Sequence, residues 1–192
     1  MGHITIQMDR NIYSEKCGIF VDGGYLRSEL KRMGNKPLDL LKFSEKVSKL
    51  IKTERLRTYY YDCLPIKIKG DKISENLYNS KKQFCDRISL LPQFEVKLGE
   101  LQYIKGIYKQ KKVDVLMSLD IADKCFEKQI QHAVMVAGDS DFIPAIQKAK
   151  NYGAIVHLIA NKDTVNKELL KEVDVFYNLN EEFIKDCLLE IS

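Results

Sequence analysis

The stretch "VMVAGDSDFIPAIQKAKNYGAIVHLIA", residues 134–160, holds the fold in miniature. "VMVA" is an apolar run suited to a buried strand, and a glycine with two acids, Asp139 and Asp141, ends it. "FIPAIQKAKNYG" then carries helical spacing with Gly153 as its stop, and "AIVHLIA" is a second apolar run. Strand, helix and strand in this order imply parallel neighbours joined by a right-handed crossover. In sheets of that kind, sites form outside the carboxyl ends of the strands, which is where "GDSD" falls.

The same unit recurs on both sides of this stretch. "KCGIFVD" reads as a strand ending in Asp22, followed by a tight Gly23-Gly24 turn and a helix over "YLRSELKRMG". "LDLLKFSEKVSKLIK" has the apolar spacing of an amphipathic helix, and "RLRTYYYDCLP" is rich in strand formers, with Pro65 closing a strand that ends near Asp62. A lysine-rich loop leads to a helical pattern from Lys72 to Leu91, and "FEVKLGELQYIKGIYKQ" reads as a strand or small hairpin. "KKVDVLMSLDIADKCFEKQI" follows as a helix. Beyond residue 160, "KDTVNKELLKEV" reads as a helix, "DVFYNL" as a short strand and "NEEFIKDCLLEI" as a final helix capped by Asn180. The expected fold is a three-layer α/β/α sandwich with a mainly parallel central sheet, Rossmann-like in plan. The expected organisation is an N-terminal extension, residues 1–16, and a single domain over 17–192.

Composition narrows the class further. No apolar run approaches the roughly 20 residues that cross a bilayer, so no membrane partner is expected, and the charged start lacks the apolar core of a signal peptide. Five scattered cysteines, Cys17, Cys63, Cys85, Cys125 and Cys187, never form a C-x-x-C pair. They read as reduced, buried thiols of a cytoplasmic protein. His3, His132 and His157 are equally dispersed and give a zinc site no local framework. The formal charge is +4, with lysines clustered in "PIKIKGDK", "NSKKQF" and "KGIYKQKK". Such clusters suit a phosphate backbone or, equally, a solvated surface. A homodimer is one assembly the sequence allows.

Two strands end in aspartate, Asp22 and Asp139. If those strands are neighbours, both carboxylates meet at one edge of the sheet, with Asp141 joining from the turn. Asp114, near the start of its helix, is a fourth acid, whereas helical geometry turns Asp120 away and leaves it at most an outer supporting role. Clustered carboxylates repel, so they are either protonated or offset by a cation, and oxygen-only ligands select Mg²⁺ or Mn²⁺. A metal so held can activate water and stabilise charge on a scissile phosphate. The plainer reading is that "GDSD" caps the following helix, which needs only one of its residues. Ser140 could contact a phosphate or simply cap; Lys109, Lys111 and Lys112 could grip phosphates; Asn161 falls at the same edge. His157 has no evident route to the site. Tyr60 of "YYYD" is expected in the core.

The motifs "IFVDGGYL", "KKVDVLMSLD", "VMVAGDSDFIPAIQKAKNYGAIVHLI" and "KELLKEVDVFYNL", in this order over about Cys17 to Leu179, resemble the NYN domain family, specifically LabA-like members of the PIN-like nucleases. The resemblance implies a PIN-like fold and a metal-dependent endoribonuclease, with Asp22, Asp114, Asp139 and Asp141 as its acids and RNA as its substrate. Many relatives carry Asn where Tyr25 stands here, and Ser where Asn166 stands. Both differences bear on how substrate is positioned, for which Tyr25 is the expected contact. A non-catalytic RNA-binding protein is the alternative. A phosphatase of the haloacid-dehalogenase type fits poorly, because Gly24 and Ile143 occupy positions where that family requires Asp.

Overall fold

The structure is a computed structural model that describes residues 15–104, 107–111 and 113–189; between 100 and 112 only backbone is described. Seven strands form one sheet in the order β4-β3-β2-β1-β5-β6-β7. They are β1 Lys16–Asp22, β2 Glu54–Cys63, β3 Phe94–Ile104, β4 Ile107–Lys111, β5 His132–Val136, β6 Ile155–Ala160 and β7 Val175–Asn178. All neighbours are parallel except the β3–β4 hairpin. The helices are α1 Gly23–Arg32, α2 Leu40–Leu50, α3 Lys72–Ser89, α4 Val113–Phe126, α5 Ile143–Asn151, α6 Lys167–Glu172 and α7 Glu181–Ile184.

Alternation along the strands builds two cores, one on each face of the sheet. Phe20, Tyr59, Tyr61, Met135 and Leu158 point to one face and pack with Met117 and Ile121 of α4, Ile146 of α5 and Leu169 of α6. Ile19, Val21, Tyr60, Val134, Val136 and Ile159 point to the other and meet Leu26 of α1, Phe43 and Val47 of α2 and Ile184 of α7. The three-layer α/β/α fold expected from the sequence is therefore present. Within "YYYD", Tyr59 stacks on Phe20 at 5.1 Å and Tyr60 meets Phe84 edge-on at 5.9 Å, so these rings serve the core.

Local differences have physical causes. Gly23 and Gly24 are the first residues of α1 and make no separate turn, because Asp22 caps the helix directly from the end of β1. The helix expected over residues 162–173 shortens to α6, since Asn166 accepts a hydrogen bond from the Glu168 N–H and sets a later start. The last helix is one short turn capped by Asn180, then a 3₁₀ turn over Lys185–Cys187. Most of the N-terminal extension, residues 1–14, lies outside the described residues. Lys16 already belongs to β1.

Toward the amino edge of the sheet lies a buried imidazole pair. The carboxylate of Glu15 accepts from His132 Nε2–H at 2.8 Å, so His132 Nδ1 is an acceptor and takes the Nε2–H of His157 at 2.9 Å. This leaves His157 Nδ1 buried and without a partner among the described residues, with Tyr177 stacked on the ring. Burial lowers the His157 pKa from 6.5 to about 4; the nearby His132 adds to that and Asp174 opposes it. The folded state thus binds fewer protons than the unfolded chain between these values. Stability present above pH 6.5 is lost as pH falls towards 4, by up to about 1.4 kcal/mol per unit. Urea titrations between neutral pH and mildly acidic pH should show this slope in the wild type and a shallower one in His157→Gln. Equal slopes would refute the assignment.

Candidate functional site

From β1 the chain moves to one side, through β2 and β3, and later returns to the other side at β5. The strand order reverses between β1 and β5, and a crevice opens at their carboxyl ends. Val21 lies opposite Val136, so Asp22 leaves β1 just where "AGDSD" leaves β5. The supposition that these two strands are neighbours holds. Asp22 and Asp139 both line the resulting crevice of about 520 Å³.

Each aspartate caps a helical turn with one oxygen only. Asp22 Oδ1 accepts the N–H groups of Gly24 and Tyr25 at 2.8 and 3.0 Å. Asp139 Oδ1 accepts the Asp141 N–H at 3.2 Å and starts the 3₁₀ turn Ser140–Phe142 that leads into α5. Ser140 Oγ stands 3.5 Å from the same oxygen. Among the described residues, no donor reaches Oδ2 of Asp22 or Asp139. Capping and cation binding therefore draw on different oxygens of the same side chains.

Asp114 comes from a third element. The β3–β4 hairpin runs past the carboxyl end of β2, and its return, with Lys111 opposite Glu100, starts α4 at the same edge as the crevice. The Asp114 carboxyl is raised above its ordinary range, first by lost hydration and then by the like charges of Asp139 and Asp141. Asp22 is raised as well, chiefly by burial, with Asp114 and Asp62 adding repulsion against its backbone hydrogen bonds. These acids share one electrostatic field, and among the described residues none of Asp22, Asp114, Asp139 and Asp141 is ion-paired.

The other expected residues are placed differently. Asp120 takes the Tyr61 hydroxyl at 2.6 Å and the Lys97 ammonium at 2.7 Å, partners that tie α4 to β2 and β3. Asn161 is engaged within the fold: its side chain donates to Glu29 at 2.8 Å and accepts from the Asp163 N–H, while its own N–H donates to the Tyr25 hydroxyl at 2.9 Å. Tyr25 lines the crevice with its ring laid against Gly138, where an added Cβ would come within 2.4 Å of it. Lys112, and the side chains of Lys109 and Lys111, lie outside the described residues.

The sequence reading passed over Glu29, which is 2% exposed and also accepts from Thr164 Oγ1 at 2.9 Å. It follows Tyr25 by four residues and Asp22 by seven, the spacing of one helix face, so its position was readable. It also passed over a buried triad at the end of β2. Asp62 is 1% exposed; it holds Arg27 of α1 through both guanidinium Nη atoms and Lys81 of α3 through its ammonium, and it accepts the Cys63 N–H at 2.8 Å. Burial pushes the Lys81 pKa down, and Arg27 adds to that while Asp62 opposes it.

A family model for the NYN domain matches residues 16–180. The chain belongs to the NYN domain family. This family is of the PIN-like nuclease kind, and the switch-point aspartates lie within the matched span. Among curated proteins, the NYN chain is 34% identical over 75 residues to an uncharacterized protein of Sinorhizobium fredii, covering 39% of this chain and 35% of that one. It is 35% identical over 74 residues to an uncharacterized protein of Methanocaldococcus jannaschii, covering 38% and 31% respectively. The chain thus spans about a third of the length of these curated relatives. The fold matches a crystal structure of a protein of unknown function from Vibrio parahaemolyticus with TM-score 0.68 and 19% identity, covering 94% of this chain and 99% of that one.

Proposed function

We propose that the crevice between β1 and β5 is the active site of a metal-dependent endoribonuclease, in a LabA-like member of the NYN family. The observation that carries this reading is the set of acids brought to one sheet edge, none of them ion-paired among the described residues: Arg32, which also lines the crevice, stands 3.7 Å from Glu29, and Asp22 and Asp139 each keep an oxygen clear of its capping bonds. Hard oxygen donors of this kind suit Mg²⁺ or Mn²⁺, and Mg²⁺ commonly takes one or two carboxylates and keeps its own waters. Among the described residues, no three ligand-type side chains converge on one point, and a cation held here would bring part of its own shell. Asp22 and Asp139 would hold it, with Asp114 and Asp141 beside them.

A bound cation would supply an activated water and charge stabilisation at the phosphate. The chain's own residues do the rest. Tyr25, fixed by Gly138 and the Asn161 N–H, walls the crevice and faces substrate. Ser140, half-buried in the turn after β5, can donate to a phosphate oxygen, and Lys111 and Lys112 are assigned as further phosphate contacts. Asn161 acts by holding Tyr25 and Glu29, and Asp120 by fixing α4 to the sheet. The described cysteines are all free and buried, which agrees with a reducing cytoplasm, and no helix among the described residues is long and apolar enough to cross a membrane.

The test is cleavage of end-labelled RNA by the purified chain with Mn²⁺, with Mg²⁺ and with EDTA. Metal-dependent internal cuts are expected, reduced roughly 10³-fold in Asp139→Asn, the loss that follows from removing several kcal/mol of charge stabilisation. Cleavage that survives EDTA, or is equal in the variant, overturns the reading. RNA bound but not cut under any metal would make the protein a binding module.

A further inference from the structure

Helix α1 separates the acid crevice from a second and larger groove of about 810 Å³, and Ser28 lines both. Gly24, two residues after Asp22, opens the groove at its upper end, and Arg27 and Lys81 lie along it. Those two cations share the single carboxylate of Asp62, so the triad keeps a charge of 2 − 1 = +1. Asp62 also fixes them in place: their charged ends cannot collapse elsewhere without leaving a buried carboxylate unpaired. Lys31 adds an exposed cation with no ion pair among the described residues, while Lys36 is already held by Glu181 at 2.5 Å. The remaining wall is mainly apolar, with Ser28, Asn35 and Ser80 as its uncharged polar members. Phe84 lies edge-on to Tyr60 and beneath the Lys81 ammonium, and Leu189 is half exposed at the rim. A fixed surplus of positive charge beside an aromatic and aliphatic wall complements a phosphate joined to a flat base. A purely anionic partner would make no use of that wall.

We propose that this groove binds a nucleotide of the RNA strand adjoining the one at the acid crevice, with its phosphate on Arg27, Lys81 and Lys31 and its base against Phe84 and Leu189. The assignment rests on the reading of the crevice as a nuclease site, and it predicts binding that needs no metal.

The experiment measures fluorescence anisotropy of a labelled RNA roughly ten nucleotides long in EDTA, at several salt concentrations, with the full chain. Lys31→Glu should weaken binding about tenfold and flatten the salt dependence by about 0.7 in log–log slope, the contribution of one single-strand phosphate contact. Lys81→Met, which leaves Asp62 to Arg27, should act in the same direction, with thermal unfolding followed alongside. Lys148→Glu, an equal charge change at an exposed position of α5 that does not line the groove, should stay within about twofold, since screened diffuse charge alone gives small effects. Equal losses in Lys31→Glu and Lys148→Glu, no RNA binding by the wild type, or equal competition by a mononucleotide or an acidic peptide would each overturn the proposal. The two readings fail separately. If the wild type cuts RNA with metal while Lys31→Glu and Lys81→Met bind normally in EDTA, the groove is refuted and the nuclease stands. If groove variants lose binding and nothing cuts, the groove stands as an RNA site and the nuclease falls.

Discussion

Alanine at position 62 is expected to destabilise the protein by about 3 kcal/mol, near the lower end of the range for breaking a buried ion pair. Asp62 sits at the end of β2 with its side chain out of solvent, and it joins α1, α3 and the sheet through charge. Removing it strands the Lys81 ammonium, whose side chain is only 14% exposed, and leaves the Cys63 N–H without its acceptor. Arg27 is 43% exposed and can turn to water, which is why the cost stays below the upper end of that range. The carboxylate also sets how closely α1 approaches: a Cβ at Gly23 would fall 2.6 Å from the Tyr60 ring and 2.7 Å from Asp62 Oδ2. Urea unfolding followed by far-UV circular dichroism is the measurement, because the chain has no tryptophan. Pairing Asp62→Leu with Lys81→Met should restore much of the loss, since it removes the stranded charge together with its partner. A cost below about 1 kcal/mol for the alanine variant would show that the triad is ordinary surface pairing.

The features legible in the sequence were those written as period and punctuation. Strand runs such as "GIFVD" and "HAVMV" were readable because both faces of each strand are buried, and Asp22 at a strand end was visible as a change from apolar to acid. Neighbouring strands β1 and β5 could be supposed but not read, because pairing depends on how crossovers return, and no local residue records that. The same limit hid the Asp62 triad: Arg27 and Lys81 stand 35 and 19 residues from Asp62, and each alone looks like a solvated charge. Asn161 misled for the opposite reason. Its position at the carboxyl edge was right, but its side chain is also engaged by Glu29 and Asp163, a matter of side-chain direction that spacing leaves open. Capping was legible as chemistry; that it would take one oxygen of each aspartate and leave the other needed atomic geometry.

Asparagine at position 22 should lower metal-dependent cleavage by roughly 10³-fold or more while leaving the metal-free fold intact. The two effects separate because the two oxygens have separate work. The amide keeps Oδ1, so the Gly24 and Tyr25 N–H groups remain capped and α1 keeps its start. What disappears is a negative charge that burial disfavours and that Asp114 and Asp62 repel. In EDTA the variant should therefore melt at or above the wild-type temperature, which is unusual for a change at a half-buried site. With Mn²⁺ added the order should reverse, since a cation that binds only the folded wild type stabilises it by mass action and has lost a ligand in the variant. Thermal shift with and without Mn²⁺ thus tests the metal site apart from any cleavage assay. If Mn²⁺ raises both melting temperatures equally, Asp22 does not hold the cation. If the variant melts well below the wild type in EDTA, its carboxylate serves the fold through a contact other than the cap, and the division of labour between its oxygens fails.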